Sequence, residues 1–114
     1  MNSKQKGNRF ERKIAELLRE YGYNARRGFQ FRSGQEEADV VGLPGIHIEC
    51  KHVENLNLEK ALQQSERDAA KDEIPIVIHK KNRKPIFVTY RVNGEKITMP
   101  FDDFMKMYKR GFNA

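Results

Sequence analysis

The chain has 114 residues, 38% of them hydrophobic and 33% charged, with a formal net charge of +6 and a single cysteine. Such a length supports one domain with a modest core. One cysteine excludes an internal disulfide and suits a reducing compartment, and no apolar run nears the ~18 residues of a membrane span. The basic stretch "MNSKQKGNRFERK" has no apolar segment of the kind a secretory signal needs, so a single cytoplasmic domain over residues 1–114 is expected.

The charge is ordered along the chain. Residues 1–32 carry nine Lys/Arg and three Asp/Glu, net +6. Residues 33–78 carry four and ten, net −6, and residues 79–114 carry nine and three, net +6. Basic flanks suit a polyanion, because Lys and Arg displace the counterions of phosphates. An acidic middle suits a hard cation held by carboxylates. A solvated surface with accidental clustering accounts for the same pattern.

The first element is an amphipathic helix. Phe10, Ile14, Leu17, Leu18 and Tyr21 follow the spacing of one buried face, with Ser3 as the expected N-cap and Gly22 as the stop. Glu11 falls beside Leu18 on the helical wheel, at the edge of that face and half-buried. A short strand is expected within "YNARRGFQF", then a polar loop "RSGQEE", then a short strand "ADVVGL" stopped by Gly42, Pro44 and Gly45. "GIHIECKHV" is the next strand, and the tight "GLPG" before it implies an antiparallel hairpin. Its alternation sends Ile46, Ile48 and Cys50 to the core and His47, Glu49 and Lys51 to the other face.

A second helix follows, with Asn57 as its cap and Leu58, Ala61, Leu62, Ser65 and Ala69 on its apolar face. "IPIVIHKK" and "KPIFVTYRV" read as strands joined by a basic turn, and "NGEKITMP" as a turn with room for a short strand. Phe101, Phe104, Met105, Tyr108 and Phe112 fall at helical spacing, a stripe for the core or for a self-complementary contact between two copies. The expected fold class is α/β: a mixed central sheet flanked by helices, in the order α-β-β-β-α-β-β-α.

Chemistry concentrates on "GIHIECKHV". Glu49 and Lys51 share a face, and Asp39 on the neighbouring strand comes within reach in the simplest hairpin register. Two carboxylates with the Cys50 backbone carbonyl between them suit Mg²⁺ or Mn²⁺, which keep several waters and accept phosphate oxygens. A lysine beside such an ion can orient the attacking water or stabilise charge on phosphorus. Together these are the parts of metal-assisted phosphodiester hydrolysis. Taken singly, each residue has an ordinary reading: a solvated cross-strand pair for Glu49 and Lys51, a turn-side hydrogen bond for Asp39, a helix-surface ion pair for Glu11. His47 shares the face of Glu49 without a role. His52 and His79 have no partners spaced for zinc, and Cys50 reads as a small hydrophobe. The turn "HKKNRK", with Lys80, Lys81 and Arg83, reads as a phosphate-binding tip.

The spacing from Asp39 to Glu49-Cys50-Lys51 resembles the PD-(D/E)xK nuclease motif. The wider run of "KGNRFERKIAELLREYGYNARR", a serine-glycine loop, "ADVV", "IHIECK" and a glutamine-bearing helix resembles the archaeal-type Holliday junction resolvases and their phage relatives. The resemblance covers about Lys6 to Val92 and implies a restriction-endonuclease-like core. It implies catalytic roles for Glu11, Asp39, Glu49, Lys51 and Gln64, with Gln63 an adjacent alternative. Glu11, Asp39, Glu49 and the Cys50 carbonyl would hold the metal. Ala38 stands where the family usually has proline, a position that is not a ligand. Lys6, Arg9, Arg26, Arg27, Arg32 and Ser33 would contact DNA. The implied activity is Mg²⁺-dependent cleavage of four-way DNA junctions by a homodimer. Two other readings stay open: a nuclease acting on duplex, flap or single-stranded DNA, and a non-catalytic module that binds branched DNA.

Overall fold

Asn2, not Ser3, starts the first helix. Its side chain accepts the backbone N–H of Gln5, and the Gln5 side chain reciprocates on the Asn2 backbone, a closed capping box. The computed structural model describes residues 2–30 and 36–111. Helix α1 runs Ser3–Glu20 and buries Phe10, Ile14, Ala15 and Leu18, with Leu17 and Tyr21 partly buried beside them. Full burial of Ile14 or Leu18 is worth roughly 1.5–3 kcal/mol each. The helix ends at Gly22, whose φ of 99° a side chain would resist.

Strands β1 (Arg26–Arg27) and β2 (Val40–Val41) are short, and β3 (Ile46–His52) is long. Helix α2 (Leu58–Asp68), capped by Asn57 accepting Lys60 N–H, crosses over to β4 (Ile74–Lys80). Strands β5 (Phe87–Val92) and β6 (Glu95–Pro100) and helix α3 (Phe101–Arg110) complete the order. Among the described residues, six strands lie in chain order in one sheet; β3 and β4 are parallel and the other pairs antiparallel. The expected α/β class and mixed sheet are present, with one strand more than the expected order. Asn93 and Gly94 both adopt positive φ, 50° and 84°, the geometry of a tight hairpin turn, so "EKITMP" pairs along its whole length with β5. Pro75 sits inside β4 without harm. Ile74 N–H faces β3, so the missing Pro75 N–H faces β5, whose pairing begins only at Val77.

The sheet is buried on both faces. One face packs Ile46, Ile48, Cys50, Ile76, Ile78, Val88 and Tyr90 against α1 and α3. The C-terminal stripe of Phe101, Phe104 and Met105 therefore belongs to the core, while Phe112 lies outside the described residues. The other face packs Val77 under Ala61 and Leu62 of α2. This second layer corrects a simple reading of β3. His47 and Glu49 are not on a solvent face; they are 6% and 5% exposed, covered by α2.

Gly28 and Gly7 make a contrast that tests this packing. A Cβ at Gly28 would lie 1.7 Å from the Ala38 carbonyl oxygen, whereas one at Gly7 meets nothing within 4 Å. Gly7→Ala is expected to raise stability by about 0.5–1 kcal/mol through helix propensity. Gly28→Ala is expected to lower it by roughly 2 kcal/mol or more, because the β1–β2 approach must open. Urea unfolding of the two variants reads both signs.

Candidate active site

The approach of Asp39 to β3 is set by backbone geometry. Asp39 N–H donates to the Ile48 carbonyl at 3.0 Å, and its own carbonyl accepts Gly28 N–H at 2.9 Å. One residue before β2, Asp39 then reaches further along β3, where its Oδ2 accepts the Cys50 N–H at 2.8 Å. A side chain thus takes the place of the next rung of the ladder. In an extended strand the N–H and C=O of one residue point to the same neighbour. The Cys50 carbonyl therefore also faces the Asp39 side, where β2 offers it no partner strand residue.

Glu49 projects from β3 beside Asp39, close enough that each carboxyl shifts the titration of the other. Burial and the charge of Glu49 push Asp39 up to about 7, against the opposing pull of the Cys50 N–H; Glu11 adds to the rise. Glu49 lies below the usual carboxylate range. Burial would raise it, but hydrogen bonds from His47 and Asp39 and the charges of His47 and Lys51 outweigh that. His47 Nε2 stands 3.1 Å from Glu49 Oε1, and its Nδ1 stands 3.7 Å from Glu73 Oε1. Burial draws its imidazole down, yet the bond to Glu49 and the charges of Glu49, Glu73 and Asp68 carry it above its ordinary value. The Cys50 side chain sits on the opposite, apolar face, and burial pushes its thiol up.

The five residues expected to be catalytic line one open cavity of about 720 Å³: Glu11, Asp39, Glu49, Lys51 and Gln64. Gln64 is half-buried and faces it, while the adjacent Gln63 is exposed and does not line it. Glu11 accepts Arg27 Nε at 3.1 Å, and Arg27 also donates to Asn8. Arg26 holds Glu37 through two hydrogen bonds of 2.8 and 3.1 Å. Two of the expected phosphate contacts are therefore already engaged by carboxylates. Lys6 and Arg9 lie along α1, Lys80 ends β4, and Lys81 and Arg83 are exposed in the turn after it. Arg32 and Ser33 lie outside the described residues.

Six further groups reach the site from outside the expected set: Gln30, Glu36, Glu37, His47, Arg67 and Asp68. His47 was legible as a neighbour of Glu49 on the same face, but its bond to that carboxylate depends on the cover of α2. Arg67 and Asp68 also line the cavity from α2. Nothing in their local sequence separates them from ordinary surface charges.

The lining is strongly acidic: Glu11, Glu36, Glu37, Asp39, Glu49 and Asp68 against Lys51 and Arg67. Among the described residues no three His, Cys, Asp or Glu side chains gather into a ready cage. What the site offers is a pair of adjacent carboxyls, whose mutual repulsion a proton or a cation relieves, and a nearby carbonyl. Those are hard oxygen donors, few in number. Such a set fits Mg²⁺, which keeps several waters and takes one or two protein carboxylates.

The sequence of residues 2–109 matches the family described as "Phage putative PDDEXK endonuclease". Three solved chains match the fold. One is Hjc from Archaeoglobus fulgidus, a Holliday junction resolvase from an archaeal hyperthermophile. It aligns with a TM-score of 0.57 and 20% identity over 88% of this chain and 93% of that one. No curated protein matches the sequence.

The raised Asp39 makes a prediction with a definite sign. Its folded value, about 7, lies above the ordinary 3.8. Between those values the folded state holds a proton that the unfolded state has released, so this group's contribution to stability falls as pH rises through the window. Above pH ~7 the metal-free protein bears the full cost. Asn cannot ionise, keeps the bond to Cys50 N–H and can donate to Glu49. Asp39→Asn is therefore expected to be about 1–3 kcal/mol more stable than the parent at pH 8 in EDTA, with the gap closing below pH ~5. Thermal melts at the two pH values measure it; equal stability at pH 8 contradicts the coupling.

Proposed function

The chain belongs to the phage PDDEXK endonuclease family, and we propose that it is a divalent-metal-dependent endonuclease that resolves four-way DNA junctions as a homodimer. The observation that carries this reading is the joining of Asp39 and Glu49 beside Lys51, with Asp39 tied to Cys50 N–H. Asp39, Glu49 and the Cys50 carbonyl would hold Mg²⁺, with Mn²⁺ as a substitute, and Glu11 would complete the site from α1. When bound, the ion supplies Lewis-acid activation at phosphorus and lowers the pKa of water.

The chain's own residues have separable tasks. Lys51 is the cation of β3 that faces the cavity, placed to orient the attacking water and to offset charge that develops on the phosphate. Gln64 offers an amide from α2 to the same water. His47 holds Glu49 in place from behind, so that this carboxylate need not be neutralised by a proton from solution. The acidic lining repels a phosphate unless cations are present, which favours hydrolysis over simple DNA binding. Junction resolution needs two opposed cuts, and one chain carries one such site; that supports the homodimer. The fold shared with Hjc supports the choice of a branched substrate.

Incubation with a four-way junction and with duplex DNA, across a series of divalent ions, tests the reading. Paired cuts in the junction with Mg²⁺ or Mn²⁺ and none in EDTA are expected. Asp39→Asn and Lys51→Ala are expected to lower the rate by about 10²-fold or more. Cleavage of duplex or flap DNA alone would keep the nuclease and replace the substrate. A junction bound but never cut with any ion would overturn the enzyme.

A further inference from the structure

On the far side of α1 from Glu11 lies a second cavity, about 580 Å³, that the catalytic reading does not use. Its floor is apolar: Phe10, Leu17, Ile86 and Phe101. The Phe10 ring packs on the His52 ring with centroids 5.4 Å apart, so part of that floor is aromatic. Its rim is cationic, with Arg9 and Lys13 on α1, Lys80 at the end of β4 and Lys84 on the turn after it. Among the described residues the one carboxylate at the rim, Asp102, already accepts the Tyr21 hydroxyl at 2.7 Å. Lys51 and His52 are consecutive on β3, one lining the catalytic cavity and the other this cleft.

An apolar, partly aromatic floor under a ring of cations complements a flat ring that carries phosphates. It does not complement a bare anion, which would gain nothing from Phe10 or Ile86. Nor does it complement an apolar peptide, which would leave Arg9, Lys13 and Lys84 unanswered; Lys80 already donates to the Lys81 and Lys84 carbonyls. We propose that this cleft binds an unpaired nucleotide of the DNA substrate, its base on the apolar floor and its phosphates at Lys13 and Lys84. The proposal rests on the nuclease reading for the identity of the polymer. Because consecutive residues of one strand serve both cavities, a DNA strand leaving the catalytic cavity at Lys51 has only the end of β3 to round before it meets the cleft. The cleft would then favour substrates with an unpaired nucleotide beside the cut.

The test uses the full chain in EDTA, where nothing is cut, and a short oligothymidylate carrying one 2-aminopurine. The parent is expected to change the 2-aminopurine fluorescence on binding, and to bind an abasic version about tenfold more weakly. Ile86→Glu is expected to abolish the fluorescence change and to level the two affinities. Lys13→Glu with Lys84→Glu, both exposed and remote from the core, is expected to weaken binding of both oligonucleotides and to flatten the salt dependence. An unchanged fluorescence response in Ile86→Glu, or none in the parent, overturns the proposal. So does light scattering that shows Ile86→Glu turning a parental dimer into a monomer, since a second copy then fills the cleft. A parent that cuts junctions but gives no response sinks this proposal alone. A response without cleavage under any divalent ion sinks the nuclease reading alone.

Discussion

One hydrogen bond organises the candidate active site: Cys50 N–H to the Asp39 carboxylate, at 2.8 Å. Strand β2 ends its pairing with β3 after a single register pair, Val40 with Ile48. Without a further strand residue opposite Cys50, its N–H would be an unsatisfied donor at the heart of the sheet. The Asp39 side chain fills that vacancy. In doing so it is brought against Glu49, which cannot move away because α2 covers it and His47 grips it. The like-charged pair follows from the backbone accounting, and the raised Asp39 follows from the pair.

The surrounding structure is arranged to bear that strain. The apolar half of β3, Ile46, Ile48 and Cys50, anchors the strand in the main core against α1 and α3. A slip of one residue would exchange the two faces and bury Lys51 in that core, which is why the register is strongly specified. Helix α2 closes the other face with only a few apolar contacts, Ala61 and Leu62 on Val77. Polar ties add to these. Ser65 donates to the Ile76 carbonyl, and Arg91 bridges Glu59 and Glu66 to β5. Those ties leave Gln64 and Arg67 turned toward the cavity. The protein thus supports its site with a well-filled core on one side and a polar clamp on the other.

Much of this was legible in the residues. The helical spacing of Phe10, Ile14, Leu17 and Leu18, the alternation of "GIHIECKHV" and the turn "GLPG" were enough to place α1, β3 and the hairpin before it. The spacing of Asp39, Glu49 and Lys51 was enough to propose their meeting. What stayed hidden was set by partners distant in sequence. The burial of His47 and Glu49 depends on the crossover helix returning over β3, and the ion pair of Arg27 with Glu11 depends on β1 lying beside α1. Neither contact leaves a periodic mark. The sixth strand was only half visible because its signal, Asn93-Gly94, is short and its residues are largely exposed.

In the proposed enzyme Asp39 and Glu49 form one divalent-ion site beside Lys51. Calorimetric titration of Mn²⁺ into the metal-free protein at pH 8 measures it most directly, with Asp39→Asn, Glu49→Gln and Lys51→Ala run alongside. A saturable site is expected in the parent, lost in both carboxylate variants and kept in Lys51→Ala, with proton release on binding as Asp39 ionises. Equal Mn²⁺ affinity in the parent and in Asp39→Asn would contradict it.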